Sequence, residues 1–196
     1  NTIPEMFWNA VETRGEKTAL RQKEFGIWRS TSWKDFGDAA REVGLGLARL
    51  GFEPGETVSI LSNTNREWMY ADMGALGAGG VSSGIYPTDS ASQVEYLLAD
   101  SRSAYVFVED EEQLDKVLEV RERLPQLRKI VVFDMEGLQR FADPTVLSLE
   151  ELRRLGFELH QEQPQLWDSR LKSRKPQDLA IIIYTSGTTG KPKGAM

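Results

Sequence analysis

The sequence of 196 residues lacks cysteine, contains one histidine and has no apolar run of the roughly 18 residues that indicate a membrane-spanning helix. Without cysteine, these residues can form no disulfide, no thiolate metal site and no cysteine nucleophile. An excess of positive charge is also missing, because 30 acidic residues outnumber 24 basic ones. This balance gives no support to nucleic-acid binding, which usually needs a basic face. The water-soluble composition favours a cytoplasmic location.

The single histidine, His160, lies in the polar stretch 158–162, and we interpret it as a surface residue rather than a catalytic one. The chain starts with Asn1 in place of an initiator methionine, and its first residues show no basic-then-apolar signal pattern. We therefore expect the numbering to begin inside a longer protein.

The N-terminal third predicts helices and one hairpin. Apolar residues at helical spacing predict a short helix over 4–14 and an amphipathic helix over 33–50, which Gly51 should end. Between them, 18–32 reads as two strands joined at Phe25-Gly26.

Short apolar runs then alternate with helical patterns. We predict three further helices and four strands: helices over 66–76, 92–99 and 111–124, and strands over 57–62, 81–85, 104–108 and 129–134. Strands that alternate with helices pair in parallel through right-handed crossovers. The predicted fold class is therefore α/β, a mainly parallel sheet with helices on both faces.

The stretch 139–177 interrupts this alternation. Ser148 is a candidate cap for a helix over 148–155, with Glu151 in the capping-box position. The polar remainder carries four basic residues: Arg170, Lys172, Arg174 and Lys175. We interpret them as part of a solvated face, and a contact with phosphate is the alternative.

The end of the chain carries the most informative motif. An apolar strand over 179–183 leads into Thr185 to Gly194, which hold four hydroxyls, three glycines and two lysines. Glycine lets backbone N–H groups approach a ligand, and hydroxyls and ammoniums donate to phosphate oxygens. The motif does not fit a Walker A loop, because Pro192 stands where the second glycine or the Ser/Thr belongs. A G-x-G-x-x-G pattern also fails, since Ser82 occupies its third glycine position after Gly77 and Gly79.

The string from Tyr184 to Gly194, Tyr-Thr-Ser-Gly-Thr-Thr-Gly-Lys-Pro-Lys-Gly, resembles the phosphate-binding signature of the adenylate-forming (AMP-binding) superfamily. The stretches 51–63 and 66–69 look like the N-terminal subdomain of that superfamily. The segments 86–98 and 108–116 are most similar to bacterial long-chain fatty-acid–CoA ligases. The resemblance extends over essentially the whole chain.

The resemblance implies a ligase that converts a long-chain fatty acid to acyl-AMP and then to acyl-CoA. ATP, Mg²⁺ and coenzyme A are the implied cofactors and co-substrates. It implies hydroxyl, backbone and cationic contacts to the triphosphate, and Thr185 as the hydroxyl ligand of Mg²⁺. The implied contacts are Thr185, Ser186, Gly187, Thr188, Thr189, Gly190 and Lys193, whereas Lys191 is expected to face solvent.

The resemblance also implies a division of the chain. We expect 1–178 to be an α/β subdomain with a connecting segment and 179–196 to be the strand with the phosphate-binding loop. The C-terminal domain would be absent. The adenine, ribose, acyl and CoA contacts and the catalytic lysine are then expected beyond Met196, so that this chain alone should have no ligase activity.

Several alternatives stay open at this point. The enzyme could activate an aromatic, short-chain or amino acid, or the chain could be a non-catalytic nucleotide-binding module. A peripheral membrane contact and a homodimer are also open. The acidic run 109–112 is interpreted as helix capping rather than as a metal site. Trp28 and Trp33 are assigned to core or surface packing rather than to a fatty-acid tunnel.

Overall fold

The computed structural model describes residues 1–185 and 192–196. The helices are α1 (Ile3–Arg14), α2 (Trp33–Arg49), α3 (Arg66–Gly77), α4 (Ala91–Asp100), α5 (Glu111–Val120), α6 (Leu149–Glu162) and α7 (Leu166–Leu171), with a 3₁₀ turn at Arg121–Arg123. The strands are β1 (Thr18–Glu24), β2 (Ile27–Ser32), β3 (Thr57–Leu61), β4 (Val81–Ile85), β5 (Ser103–Val108), β6 (Lys129–Val132), β7 (Val146–Ser148), β8 (Ile181–Thr185) and β9 (Lys193–Ala195). Within the described ranges, no helix has the length and apolar character needed to cross a membrane.

The chain divides into two compact units. The helical unit comprises Asn1–Pro54, Thr64–Gly79 and Arg153–Asp178. The sheet unit comprises Gly55–Asn63, Gly80–Leu152 and Leu179–Met196.

The sheet unit is built on seven strands in the order β7-β6-β5-β3-β4-β8-β9. All neighbouring strands are parallel except β8 and β9, which are antiparallel. Every residue of β3 and β5 is buried, as expected for parallel strands that are covered on both faces. The predicted α/β class with a mainly parallel sheet is confirmed.

The core of the sheet unit is formed where α4 and α5 pack on the strands. Val94, Leu98 and Leu114 from the helices join Val106 and other strand residues in one buried cluster. Both helices begin at side-chain caps. Ser90 forms a capping box with Gln93 at α4, and Asp110 accepts from the backbone N–H of Gln113 at α5.

The helix over 111–124 is shorter than predicted, because α5 ends at Val120 and a 3₁₀ turn follows. Pro125 disfavours α-helical geometry in the residue before it, so the last turn tightens instead of continuing.

The helical unit packs its helices through close contacts at glycines. A Cβ placed on Gly44 of α2 or on Gly77 of α3 would lie 2.6 Å and 2.2 Å from ring atoms of Trp167. The Trp167 ring thus fills a space that only glycine leaves open on these two helices. Beyond α3, Gly79 has φ of +87°, which lets the chain turn sharply out of the helix.

Helix α6 differs from its prediction, because it continues to Glu162 instead of ending at residue 155. Its start is as predicted, since Ser148 accepts from the backbone N–H of Glu151 at 3.0 Å. The helix continues past Gly156 because this residue allows a close approach to α2. A Cβ there would lie 1.8 Å from the backbone oxygen of Glu42.

The polar segment after α6 is also more ordered than a linker. It contains α7, and Arg170 donates to the backbone oxygen of Phe52 at 3.1 Å. Arg174 pairs with Asp178 at 3.4 Å. The solvated-face interpretation fits the exposed Lys172 and Lys175 and is wrong for Arg170, whose side chain is 15% exposed.

Candidate functional site

The candidate site lies on the β8–β9 hairpin at the end of the sheet. Strand β8 runs parallel to β4, with Ser82 opposite Ile181 and Ser83 opposite Ile182. The chain that follows Thr185 therefore leaves the carboxyl edge of the sheet. Ligands of open α/β sheets bind at this edge.

Two predicted site residues face each other at the base of the hairpin. Thr185 is the direct antiparallel partner of Lys193. Residues that are directly opposite in an antiparallel pair point to the same face, with Cβ atoms about 5 Å apart. Both residues are exposed. The hydroxyl-bearing and the ammonium-bearing side chain therefore start from neighbouring positions on one face of the hairpin.

The remaining predicted contacts lie outside the described residues. These are Ser186, Gly187, Thr188, Thr189 and Gly190. The variable Lys191 lies outside them as well.

Two tyrosines hold the hairpin to α4. The Tyr184 hydroxyl donates to a carboxylate oxygen of Asp100 at 2.8 Å. The Tyr96 hydroxyl donates to the backbone oxygen of Pro192 at 2.9 Å. Burial, followed by the hydrogen bond to Asp100, raises the pKa of Tyr184 well above its usual value. Tyr184 therefore remains a hydrogen-bond donor at neutral pH.

Glu109 ties two neighbouring strands at the same edge. Its carboxylate accepts from the backbone N–H and the side-chain amide of Asn63 at 2.7 and 2.9 Å, and from the Ser62 hydroxyl at 3.3 Å. Asp110 caps α5, which confirms the capping interpretation of the acidic run. Across 1–185 and 192–196, no three His, Asp or Glu side chains are grouped so that they could hold a metal ion.

The loop after β4 is held from α5. The Lys116 ammonium donates to the backbone oxygen of Pro87 at 2.6 Å and to the Gln113 side chain at 2.9 Å. Burial raises the pKa of Asp89 in this loop, and a hydrogen bond that its carboxylate accepts from the Tyr86 backbone N–H partly opposes this shift. The hydrogen bonds of Lys116 hold the loop that follows β4, the strand that pairs with β8.

His160 is only partly exposed, so the prediction of a surface histidine needs correction. Its Nδ1 is buried and has no hydrogen-bond partner within the described part of the chain. Burial, followed by the positive charge of Arg41, lowers the pKa of His160. The neutral form is therefore favoured, and the side chain packs in the helical unit.

The two tryptophans have different environments. Trp33 lies among aromatic rings, 6.2 Å from Phe7 and 6.3 Å from Phe36. Trp28 is 64% exposed on the β1–β2 hairpin. The packing interpretation thus holds for Trp33, and Trp28 is a surface residue.

The described donors fit a triphosphate with its magnesium ion. Thr185 offers an oxygen ligand of the kind that Mg²⁺ accepts, alongside phosphate oxygens and water. Lys193 offers a cation to phosphate oxygens.

Comparisons with known proteins show which family and fold this chain resembles. A family profile described as AMP-binding enzyme matches residues 7–196. Over 195 residues, the chain is 33% identical to the long-chain-fatty-acid–CoA ligase ACSBG1 of Bos taurus and 35% identical to the ligase ACSBG2 of Xenopus laevis. Both matches cover 100% of this chain and 26% of the relative. The chain thus spans about a quarter of the length of these relatives.

A solved structure with the same fold is the anthranilate–CoA ligase AuaEII in complex with anthranoyl-AMP. The TM-score is 0.81 at 27% sequence identity, and the match covers 99% of this chain and 34% of that chain. A luciferase-like enzyme from the mealworm Zophobas morio shares the fold with a TM-score of 0.74 at 17% identity, over 98% of this chain and 41% of that one.

Proposed function

Because the chain belongs to the AMP-binding enzyme family, we propose that it is the N-terminal part of an ATP-dependent long-chain fatty-acid–CoA ligase. The observation that carries the proposal is the direct pairing of Thr185 with Lys193 at the carboxyl edge of the sheet. The names of the curated relatives support the acyl substrate. These relatives come from vertebrates, so the narrower similarity to bacterial ligases contributes nothing to the proposal.

The proposed reaction has two steps. In the first, a carboxylate oxygen of the fatty acid forms a bond to the α-phosphorus of ATP, and the bond from that phosphorus to the β-phosphate oxygen breaks. Acyl-AMP and pyrophosphate result. In the second, the thiol of coenzyme A loses its proton and its sulfur bonds to the acyl carbon, while AMP leaves. Bound Mg²⁺ would neutralise charge on the departing pyrophosphate.

This chain contributes to the first step. The reaction brings two anions together and expels a highly charged leaving group, so catalysis depends mainly on positioning and on charge stabilisation. Lys193 contacts the β- and γ-phosphates, and Thr185 ligates the magnesium ion. The contacts proposed for the intervening residues are hydroxyls of Ser186, Thr188 and Thr189 and backbone N–H groups at Gly187 and Gly190.

A ligase for another carboxylic acid is the second candidate function. The similarity to the anthranilate–CoA ligase favours it, because that protein acts on an aromatic acid and matches nearly the whole of this chain. The two candidates share the triphosphate site and differ in the acid.

The deciding experiment measures pyrophosphate exchange into ATP with the complete enzyme that contains this chain. Acids of increasing chain length, anthranilate and several amino acids are compared. We expect long-chain fatty acids to give the highest kcat/KM. A preference for anthranilate would establish the second candidate, and no exchange with any acid would refute both.

The site assignment has its own test. Lys193→Met removes the charged donor and should lower kcat/KM for ATP about 10- to 100-fold, because a hydrogen bond to a charged group contributes about 1.5–3 kcal/mol. Lys175→Met, at an exposed lysine of the helical unit, is the matched control and should change kcat/KM less than about twofold. Equal values in the two variants would contradict the role of Lys193.

The remaining expectations follow from the same proposal. The division into 1–178 and 179–196, with acyl, adenine and CoA contacts supplied by further chain, predicts that these 196 residues alone form no thioester. We propose a cytoplasmic location for the enzyme. Thioester formation by the isolated chain would contradict the proposed division.

A further inference from the structure

The two arms of the β8–β9 hairpin are each held by a separate side-chain contact to α4. Tyr184, in the strand that enters the loop, donates to Asp100. Pro192, just before the strand that leaves the loop, accepts from Tyr96. Tyr96 and Asp100 are four residues apart on α4 and so lie on one helix face, one turn from each other.

Helix α4 is itself fixed in the sheet unit. Val94 and Leu98 are fully buried in the core cluster, and Ser90 forms the capping box at the start of the helix. On another part of the helix, Glu95 pairs with Arg123 at 2.8 Å. The helix therefore presents Tyr96 and Asp100 from a rigid support.

The hairpin is shaped to receive these contacts. The Tyr184 ring packs against the same core cluster, opposite Gly194 in the neighbouring strand. A Cβ on Gly194 would lie 3.4 Å from the Tyr184 ring and 2.9 Å from a methyl of Ile182. Gly194 thus leaves the room that the ring needs to bring its hydroxyl to Asp100.

Each anchored residue is the direct neighbour of a proposed triphosphate contact. Tyr184 precedes Thr185, and Pro192 precedes Lys193. We propose that α4 acts as a clamp, in which Tyr96 and Asp100 are positioning residues that set the placement of Thr185 and Lys193 for the pyrophosphate portion of ATP. This inference rests on the proposed function. The two added residues, Tyr96 and Asp100, contact the hairpin at Pro192 and Tyr184.

The clamp makes a specific kinetic prediction. If Thr185 and Lys193 are misplaced, their proposed contacts to the pyrophosphate portion of ATP weaken, and the acyl-adenylate no longer carries that portion. Tyr96→Phe and Asp100→Ala should each raise the KM for ATP, and that for pyrophosphate in the reverse direction, about three- to tenfold. This range corresponds to the loss of one hydrogen bond. The transfer of the acyl group from preformed acyl-adenylate to coenzyme A should be unchanged.

Two further variants separate positioning from general damage. Asp100→Asn keeps an oxygen that can accept from Tyr184 and should restore most of the ATP affinity. Glu95→Gln removes a carboxylate charge from the same helix but keeps an oxygen that can accept from Arg123 at this exposed position, so it should leave the KM for ATP at the wild-type value. The thermal transition of each variant shows whether it folds.

The outcomes distinguish the clamp from the proposed function. Calorimetric binding of magnesium-ATP to the complete enzyme gives a Kd without turnover. If wild type binds ATP and the Tyr96→Phe and Asp100→Ala variants have the same Kd and KM, the clamp is refuted and the proposed function stands. Equal slowing of both half-reactions would also refute the clamp. If the wild-type enzyme binds no ATP, the proposed function fails and the clamp fails with it.

Discussion

The two compact units reach a packed core by different means. In the sheet unit, β-branched and aliphatic residues of the strands and of α4 and α5 fill one large cluster. In the helical unit, glycines bring helices close together, and aromatic rings such as Trp167 pack there beside buried leucines. Substitutions should therefore affect the stability of the two units in different ways. In the helical unit, one added methyl group at a glycine contact should disturb the packing of the helices. The sheet unit combines a large apolar cluster with hydrogen-bonded groups that hold the candidate site.

The largest expected loss of stability comes from replacing a buried aromatic residue of the helical unit. Trp167 is 2% exposed, fits against Gly44 and Gly77, and lies 5.4 Å from the ring of Trp8. Trp167→Ala should lower the free energy of unfolding by about 3–5 kcal/mol, because the cavity cannot close around two helices already in contact. Urea denaturation measures the loss.

The matched control is another tryptophan of the same unit. Trp28 is 64% exposed, so Trp28→Ala should change the free energy of unfolding by about 0.5 kcal/mol or less. Similar losses in the two variants would show that the helical unit does not depend on the Trp167 contact.

The second prediction concerns Gly156, where helix propensity favours replacement by alanine and packing opposes it. Helix propensity alone would make Gly156→Ala stabilising by up to about 1 kcal/mol. The added methyl, however, would overlap the backbone oxygen of Glu42, which no side-chain rotation can relieve. We expect a net loss of about 1–3 kcal/mol in the free energy of unfolding.

Gly37 provides the contrast for this prediction. Its nearest atoms belong to the Val11 side chain, with a methyl 2.4 Å from an added Cβ. Gly37→Ala should therefore be partly rescued by Val11→Ala in chemical denaturation. A gain in stability from Gly156→Ala would show that α6 and α2 can move apart at little cost.

The same difference decides how much the sequence could predict. The parallel strands β3, β4, β5, β6 and β8 alternate with helical patterns, so their positions along the chain and their parallel pairing were predictable, whereas the three-residue strand β7 was not predicted. Glycine contacts in the helical unit leave no such pattern. The helix predicted over 148–155 in fact continues through Gly156 to Glu162.

The candidate site was predicted only in part for a similar reason. The signature located the loop, but β9 is three exposed residues long and has no periodic pattern, so the pairing of Thr185 with Lys193 was not foreseen. The contacts of Tyr96 and Asp100 join residues more than 80 positions apart in the sequence. Only the folded chain brings them together. The individual phosphate contacts remain predictions.

The third prediction concerns hydrogen bonding inside the sheet unit. The Ser103 hydroxyl lies 2.6 Å from that of Ser59 and 2.8 Å from that of Ser101, and all three side chains are buried. Ser103→Ala should cost about 1–2 kcal/mol in unfolding free energy, since it removes a partner from two buried hydroxyls.

A double-mutant cycle separates this interaction from packing. The loss in Ser59→Ala/Ser103→Ala should be smaller than the sum of the two single losses, because the second substitution removes a group that the first left unsatisfied. Strict additivity would mean that the hydroxyl chain does not contribute as a unit, and that the sheet unit rests on its apolar cluster alone.

The smallest expected effect is electrostatic and depends on pH. Hydrogen bonds from the Thr145 hydroxyl and from Arg121, and one from the Thr145 backbone N–H, lower the pKa of Asp143 from 3.8 to about 2. The ionised carboxylate therefore stabilises the fold above the unfolded pKa, and this contribution disappears as the pH falls through about 4 to 2. Arg121 is 39% exposed, so solvent screening reduces the expected contribution to about 1 kcal/mol.

Comparing wild type with Asp143→Asn tests this contribution. The difference in unfolding free energy should be about 1 kcal/mol at pH 6 and approach zero near pH 2. Thr145→Val, which removes the principal hydroxyl donor, should reduce that pH dependence without abolishing it, because Arg121 still pairs with the carboxylate. A difference that stays constant from pH 6 to pH 2 would show that Asp143 acts through shape rather than charge. The sheet unit would then resemble the helical unit in depending on packing at this position too.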